Sequence, residues 1–240
     1  QMYGFADAFV VGRILGIDAL AAVGSTGGIA FLLLGFAWGL TAGFAIPTAQ
    51  AFGAGDPAAV RRAVAAGTLL TGGFAVLLTA VAVPVARPLL ELMRTPPEII
   101  DDAYLFIVVS FWGIAATMFF NFLSSTIRAL GDSRTPLVFL AISCVLNVVL
   151  VIAFIAGLGM GVDGAALATI TSQLVSVLLC LWLVQKKMPT LHLSREDWKV
   201  TRAELATQLR IGLPMAFQSS IIAIGTIVLQ YALNGLGAES

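Results

Sequence analysis

The sequence predicts an all-α, polytopic helical membrane protein with about seven transmembrane helices, the first truncated. Three observations predict it. Hydrophobic residues make up 59% of the chain and charged residues 11%, against about 45–50% and 25% in ordinary soluble domains. Six apolar runs are long enough to cross the ~30 Å hydrocarbon layer, which takes about 20 residues of helix. Polar residues, glycine and proline gather in the connectors between those runs. Helix follows for each run, because an open sheet would leave its backbone groups unpaired in lipid.

In chain order, residues 1–12 are too short to span and read as the end of a helix cut at its start, as in a fragment. The runs that follow lie at about 20–50, 59–86, 101–127, 135–158, 164–187 and 211–236. Asp56 before Pro57 is an N-cap with proline at the first helical position. Thr95-Pro96-Pro97-Glu98 and Gly131-Asp132-Ser133-Arg134-Thr135-Pro136 separate the next helices, and Gly157 to Gly164 links the pair after them. Within the polar stretch Gln185 to Arg210, Ser194-Arg195-Glu196-Asp197 has capping-box character and predicts a short amphipathic helix at the membrane surface. The expected organisation is a six-helix membrane unit over 1–190, a cytoplasmic linker with an amphipathic helix over 191–210, and a further, incomplete helix over 211–240. Leu15-Gly16-Ile17-Asp18-Ala19 has a weak echo in Leu236-Gly237-Ala238-Glu239-Ser240, as if the last helix repeated the first.

Basic residues orient the chain. Arg61, Arg62, Arg128, Arg134, Lys186, Lys187, Arg195, Lys199, Arg202 and Arg210 fall on one side, and Arg13, Arg87 and Arg94 on the other. Ten against three puts the first side, including residues 185–210, in the cytoplasm. Net charge is zero, so the charge balance gives no nucleic-acid partner. Cys144 and Cys180 lie in apolar runs and read as small apolar side chains. No metal-ligand spacing, phosphate-cradling loop or nucleophile–base pair appears, and the single histidine, His192, sits in the polar connector. An enzyme and a bound cofactor are therefore not expected.

The residue around which function is read is Asp7, an ionisable group in an apolar helix, where insertion costs about 2.5–3.5 kcal/mol. At 1.5 Å per residue, Asp7 lies roughly 9 Å below Arg13 and Thr169 roughly 9 Å below Asp163. Asn147 lies about 16 Å above Pro136, near the midplane, and Gln173 follows Thr169 by one turn. Asp7, Asn147, Thr169 and Gln173 could line one polar pocket suited to a proton or to a hard cation such as sodium. The other reading of the three uncharged residues is interhelical hydrogen bonding, worth about 0.6 kcal/mol each. That bland reading is preferred for Asn121, Ser124 and Ser125. Gly35, Gly39, Gly43, Gly72 and Gly73 are expected to permit close helix packing. The four tryptophans are expected to be packing residues or interface anchors.

Four segments carry a resemblance. They are Asp7-Ala8-Phe9-Val10-Val11-Gly12-Arg13 with Ala19-Leu20-Ala21-Ala22-Val23-Gly24; Gly39-Leu40-Thr41-Ala42-Gly43 with Ala49-Gln50-Ala51-Phe52-Gly53-Ala54-Gly55-Asp56 and Val60-Arg61-Arg62; Arg128 to Pro136; and Gly161 to Thr169 with Ser172-Gln173. In this order they resemble the multidrug and toxic compound extrusion (MATE) family, in its prokaryotic DinF-like branch. The resemblance implies a twelve-helix transporter of two six-helix lobes that open alternately, this chain supplying the first lobe and the first helix of the second. It implies export of small organic, often cationic, compounds across a prokaryotic inner membrane, in exchange for inward H+ or Na+. It also implies a coupling site at Asp7, Asn147 and Thr169, with Na+ there as one alternative. Where that branch carries a second aspartate one turn after the asparagine, this chain has Val151, which favours proton coupling, or weaker sodium binding, over a strong sodium site. A lipid-linked sugar or lipid flippase of the same superfamily is the alternative. Its cavity would be expected to carry basic residues, whereas here they sit in connectors.

Overall fold

The computed structural model describes the backbone of residues 2–93 and 95–236, and the side chains of 8–93 and 95–225. Arg94 and the echo segment beyond Leu236 lie outside the described residues. The described chain is helical, with no strand: α1 (Met2–Ile14), α2 (Ile17–Phe44), α3 (Ile46–Gly53), α4 (Pro57–Leu92), α5 (Ile100–Trp112), α6 (Ile114–Ala129), α7 (Arg134–Ile152), α8 (Val162–Lys187) and α9 (Arg202–Leu236). Among the described residues, Ile17–Gly53, Pro57–Leu92, Arg134–Gly157 and Val162–Lys187 are long and apolar enough to cross a membrane, and α5 with α6 makes a bent fifth span.

Local sequence sets most of the boundaries. Gly16, at φ +96°, turns the chain sharply between α1 and α2, a conformation only glycine takes without strain. Pro47 in the first turn of α3 cannot continue the hydrogen bonding of α2, so the span breaks at Ala45. Asp56 caps α4 as expected, its Oδ1 accepting from the backbone N–H groups of Ala58 and Ala59 at 3.0 Å. Asp132 caps α7 by accepting from the N–H groups of Arg134 and Thr135 at 3.1 and 3.0 Å. Beyond Ile152, α7 runs into a π-helical turn, Ala153–Gly157.

Besides the break at Ala45, two more expectations for the helices fail. The single helix over 101–127 is broken at Gly113, where α5 and α6 meet at 43°. A Cβ at Gly113 would strike Ile170 of α8, so the bend lies where a tertiary neighbour packs against the bare glycine. The separate amphipathic helix between 191 and 210 does not form. Asp197 Oδ2 instead accepts from the Ser194 N–H and hydroxyl, both at 2.7 Å, and closes a turn. The Arg61 guanidinium, 3.3 Å away, fastens that turn to α4. The capping box belongs to Thr201 and Glu204: the Thr201 N–H and hydroxyl donate to Glu204 Oε2 at 2.7 and 2.8 Å, and the Glu204 N–H donates back at 3.3 Å. From there α9 runs unbroken into its apolar part.

Four apolar clusters pack the described residues, and the two largest divide the helices. One core joins α2, α4, α5, α6 and α9 around Leu40, Phe44, Leu90, Ile107, Met118 and Phe122. The other joins α1, α2, α7 and α8 around Val10, Val11, Val151, Ile155, Ala165 and Ala168. Between α2 and α9 the helices nearly touch. A Cβ on Gly43 would lie 2.5 Å from Gly212 Cα, and one on Gly39 would strike the Met215 and Ala216 backbone. These two glycines fulfil the expectation of close packing. Gly35 and Gly72 have room for a methyl group, and Gly73 faces open space. On α9, the Gln208 side chain is buried and its Nε2 donates to the Ala63 carbonyl of α4 at 2.5 Å.

Candidate coupling site in the outer half of the helices

Three residues on one face of α7, Ser143, Asn147 and Val151, are fully buried, as their four-residue spacing allows. Ser143 Oγ donates to the Ser172 carbonyl of α8 at 2.8 Å. One turn further out, Asn147 Nδ2 donates to Thr169 Oγ1 at 3.0 Å. The Asn147 Oδ1 accepts no hydrogen bond among the described residues, although it is sealed from solvent. A buried carbonyl left so costs about 1–3 kcal/mol.

Of the four expected residues, Asn147 and Thr169 are in direct contact. Gln173 takes a different partner: its Oε1 accepts from the Thr117 hydroxyl of α6. Depth along a helix fixed the height of Gln173 and left open the neighbour it would meet. Asp7 lies on the α1 backbone, and its side chain is outside the described residues. Its level follows from register. The topology makes α1 and α7 parallel, and Val11 shares a cluster with Val151. One turn earlier on each helix stand Asp7 and Asn147. Val151 itself is fully buried among Val10, Val11 and Ile155, an apolar environment one turn above the amide. Asn121 Nδ2 donates to its own helix's Thr117 carbonyl at 2.8 Å, a bond within α6 rather than the interhelical one expected of it.

The MatE family signature matches residues 1–153. The chain belongs to the MatE family. It is 32% identical to "Probable multidrug resistance protein YpnP" of Bacillus subtilis, over 98% of this chain and 52% of that protein. It is 29% identical to "DNA damage-inducible protein F" of Escherichia coli, over 82% of this chain and 43% of that one. It superposes on a crystal structure of a MATE protein in a bent conformation with TM-score 0.87 and 28% identity, covering 94% of this chain and 50% of the other. The chain spans about half the length of the curated relatives it matches. A MatE-family chain with this set of apolar spans is an integral membrane protein, and the family is one of transport proteins.

Proposed function

We propose that this chain forms the first lobe, and the first helix of the second, of a secondary active multidrug efflux antiporter in a prokaryotic inner membrane. It would export small organic, often cationic, compounds in exchange for protons. Asp7, Asn147 and Thr169 form the coupling site, with Gln173 beside it. Residues 185–210 face the cytoplasm, and a second six-helix lobe completes the transporter. The observation that carries this reading is Asn147: fully buried, bonded through Nδ2 to Thr169, and presenting a carbonyl oxygen without a partner at the level of Asp7.

That carbonyl suits a protonated carboxyl, which has one hydrogen to donate, better than a carboxylate, which has none. A neutral Asp7 would therefore be free to meet the amide oxygen, and a charged Asp7 would be repelled by it. Proton gain and loss at Asp7 would then move α1 against α7, and so bias the equilibrium between the two lobe arrangements. Sodium prefers a shell of several oxygens, and Val151 supplies methyl groups where a second carboxylate would serve it. Proton coupling is thus favoured.

The test is efflux of a cationic dye from proteoliposomes holding the complete protein, with proton and sodium gradients imposed separately. Proton-driven efflux that is lost in Asp7→Asn supports the reading. Efflux that follows sodium at a fixed proton gradient overturns the coupling ion, and normal efflux by Asp7→Asn overturns the site.

A further inference from the structure

On the side of the lobe away from α1, α4 and α8 flank α6 and leave a groove of about 600 Å³ between them. Its floor is Phe119 and Leu123 of α6, and its walls are Val64 of α4 with Val177 and Leu181 of α8. The connector after α8 folds beneath it: Leu191 and Leu193 pack with Val60 and Val64. His192 Nε2 lies 2.9 Å from the Gln185 carbonyl, to which it donates. Trp198 completes the mouth, and no acidic residue lines the groove.

Depth and charge together say what fits there. Val177 precedes Lys186 by nine residues, or about 13.5 Å of helix, close to half the ~30 Å hydrocarbon thickness. The groove therefore occupies the cytoplasmic leaflet. Trp182, half exposed with the Lys186 ammonium 5.7 Å from its ring centre, marks the interface level on α8. Leu181, which lines the groove, and its neighbour Leu178 are exposed on the same helix, so the groove has an apolar side opening along α8. Lys186 and Lys199 directly follow the lining residues Gln185 and Trp198 in sequence, and Arg195 lies two residues beyond Leu193; all three are exposed and form no ion pair among the described residues. Of the connector's acids, Asp197 is taken by Arg61 and Ser194, which leaves Glu196 alone against three cations. A basic rim above an apolar slot on the cytoplasmic side has the chemistry of an anionic lipid site.

We propose that this groove holds one acyl chain of an anionic phospholipid from the cytoplasmic leaflet, with its phosphate at Lys186, Arg195 and Lys199. The lipid would tie α4 and α8 to the connector that leads into α9. Each cation near a membrane surface favours an anionic headgroup by about fivefold. The complete protein, purified in mild detergent, is mixed with phosphatidylglycerol or phosphatidylcholine at equal concentration, and retained lipid is counted by native mass spectrometry. The expected result is retention of phosphatidylglycerol about tenfold above phosphatidylcholine. Leu181→Trp, at a position already exposed, and Val177→Trp each fill the slot and abolish retention of both lipids. The combined Lys186→Gln, Arg195→Gln and Lys199→Gln variant keeps the slot and loses the headgroup preference. Equal retention of the two lipids by the unmodified protein overturns the proposal, as does retention unchanged in both tryptophan variants. Displacement of the lipid by a cationic dye at equal concentration also overturns it, because the groove would then be a cargo site.

Discussion

Replacing Asn147 by leucine separates a residue kept for stability from one kept for function. The two side chains branch alike and are close in size, so the pocket between α7 and α8 stays filled. The substitution removes one interhelical hydrogen bond to Thr169, worth about 0.6 kcal/mol in a membrane protein. It also removes a sealed carbonyl oxygen that accepts no hydrogen bond among the described residues, a cost of about 1–3 kcal/mol. Thr169 is half buried, so the oxygen that accepts from the amide is not sealed from solvent as Asn147 is. The balance predicts that Asn147→Leu is neutral or stabilising by about 0.5–2 kcal/mol. Dye efflux should nevertheless fall to background, because no amide remains to meet Asp7. Thermal melting in detergent and efflux in proteoliposomes are measured on the same preparations. A variant that melts earlier while transporting normally would refute the reasoning, since Asn147 would then be a structural residue.

The glycine seam predicts a contrast. Gly43→Val should destabilise by about 1–3 kcal/mol because α2 and α9 must part, whereas Gly73→Ala faces open space and should stabilise by about 0.5–1 kcal/mol; denaturant titration in detergent measures both. Ser194's N–H and hydroxyl, followed by the Arg61 guanidinium, hold the Asp197 carboxyl below the usual carboxylate range. A carboxyl whose folded pKa is depressed contributes stability above its unfolded value of about 4 and loses it as pH falls through the folded value. Protease cleavage of the connector should thus be slow and constant from about pH 8 to pH 5 and accelerate below about pH 4, while Asp197→Asn is cleaved quickly throughout. Val151→Asp supplies a second carboxylate one turn above Asn147, and efflux by that variant should acquire a sodium dependence that the unmodified protein lacks.

Features fixed by neighbours in sequence were legible without coordinates. Asp56-Pro57 announces the start of α4, and its cap has the expected bonds. Features decided by a distant contact were not. Nothing local distinguishes Gly113 from Gly73, yet the chain bends at one, against Ile170, while the other faces open space. Ser194 to Asp197 and Thr201 to Glu204 make the same capping bonds and each acid is paired with an arginine of α4, yet only the second opens a long helix. The site divides in the same way. Helical rise placed Asn147 and Thr169 within about 5 Å in depth, and they bond. Rise says nothing of direction around the axis, so Thr117, the partner of Gln173, was missed. Gln208 was missed too, because a glutamine in a polar connector gives no sign that it will be buried against Ala63.

The central claim is that Asp7 carries the proton exchanged for cargo. It is tested most directly by adding tetraphenylphosphonium to the purified complete protein in weakly buffered solution and recording pH. The account predicts proton release on binding that is absent in Asp7→Asn. Binding without proton release, or equal release from the variant, would contradict it.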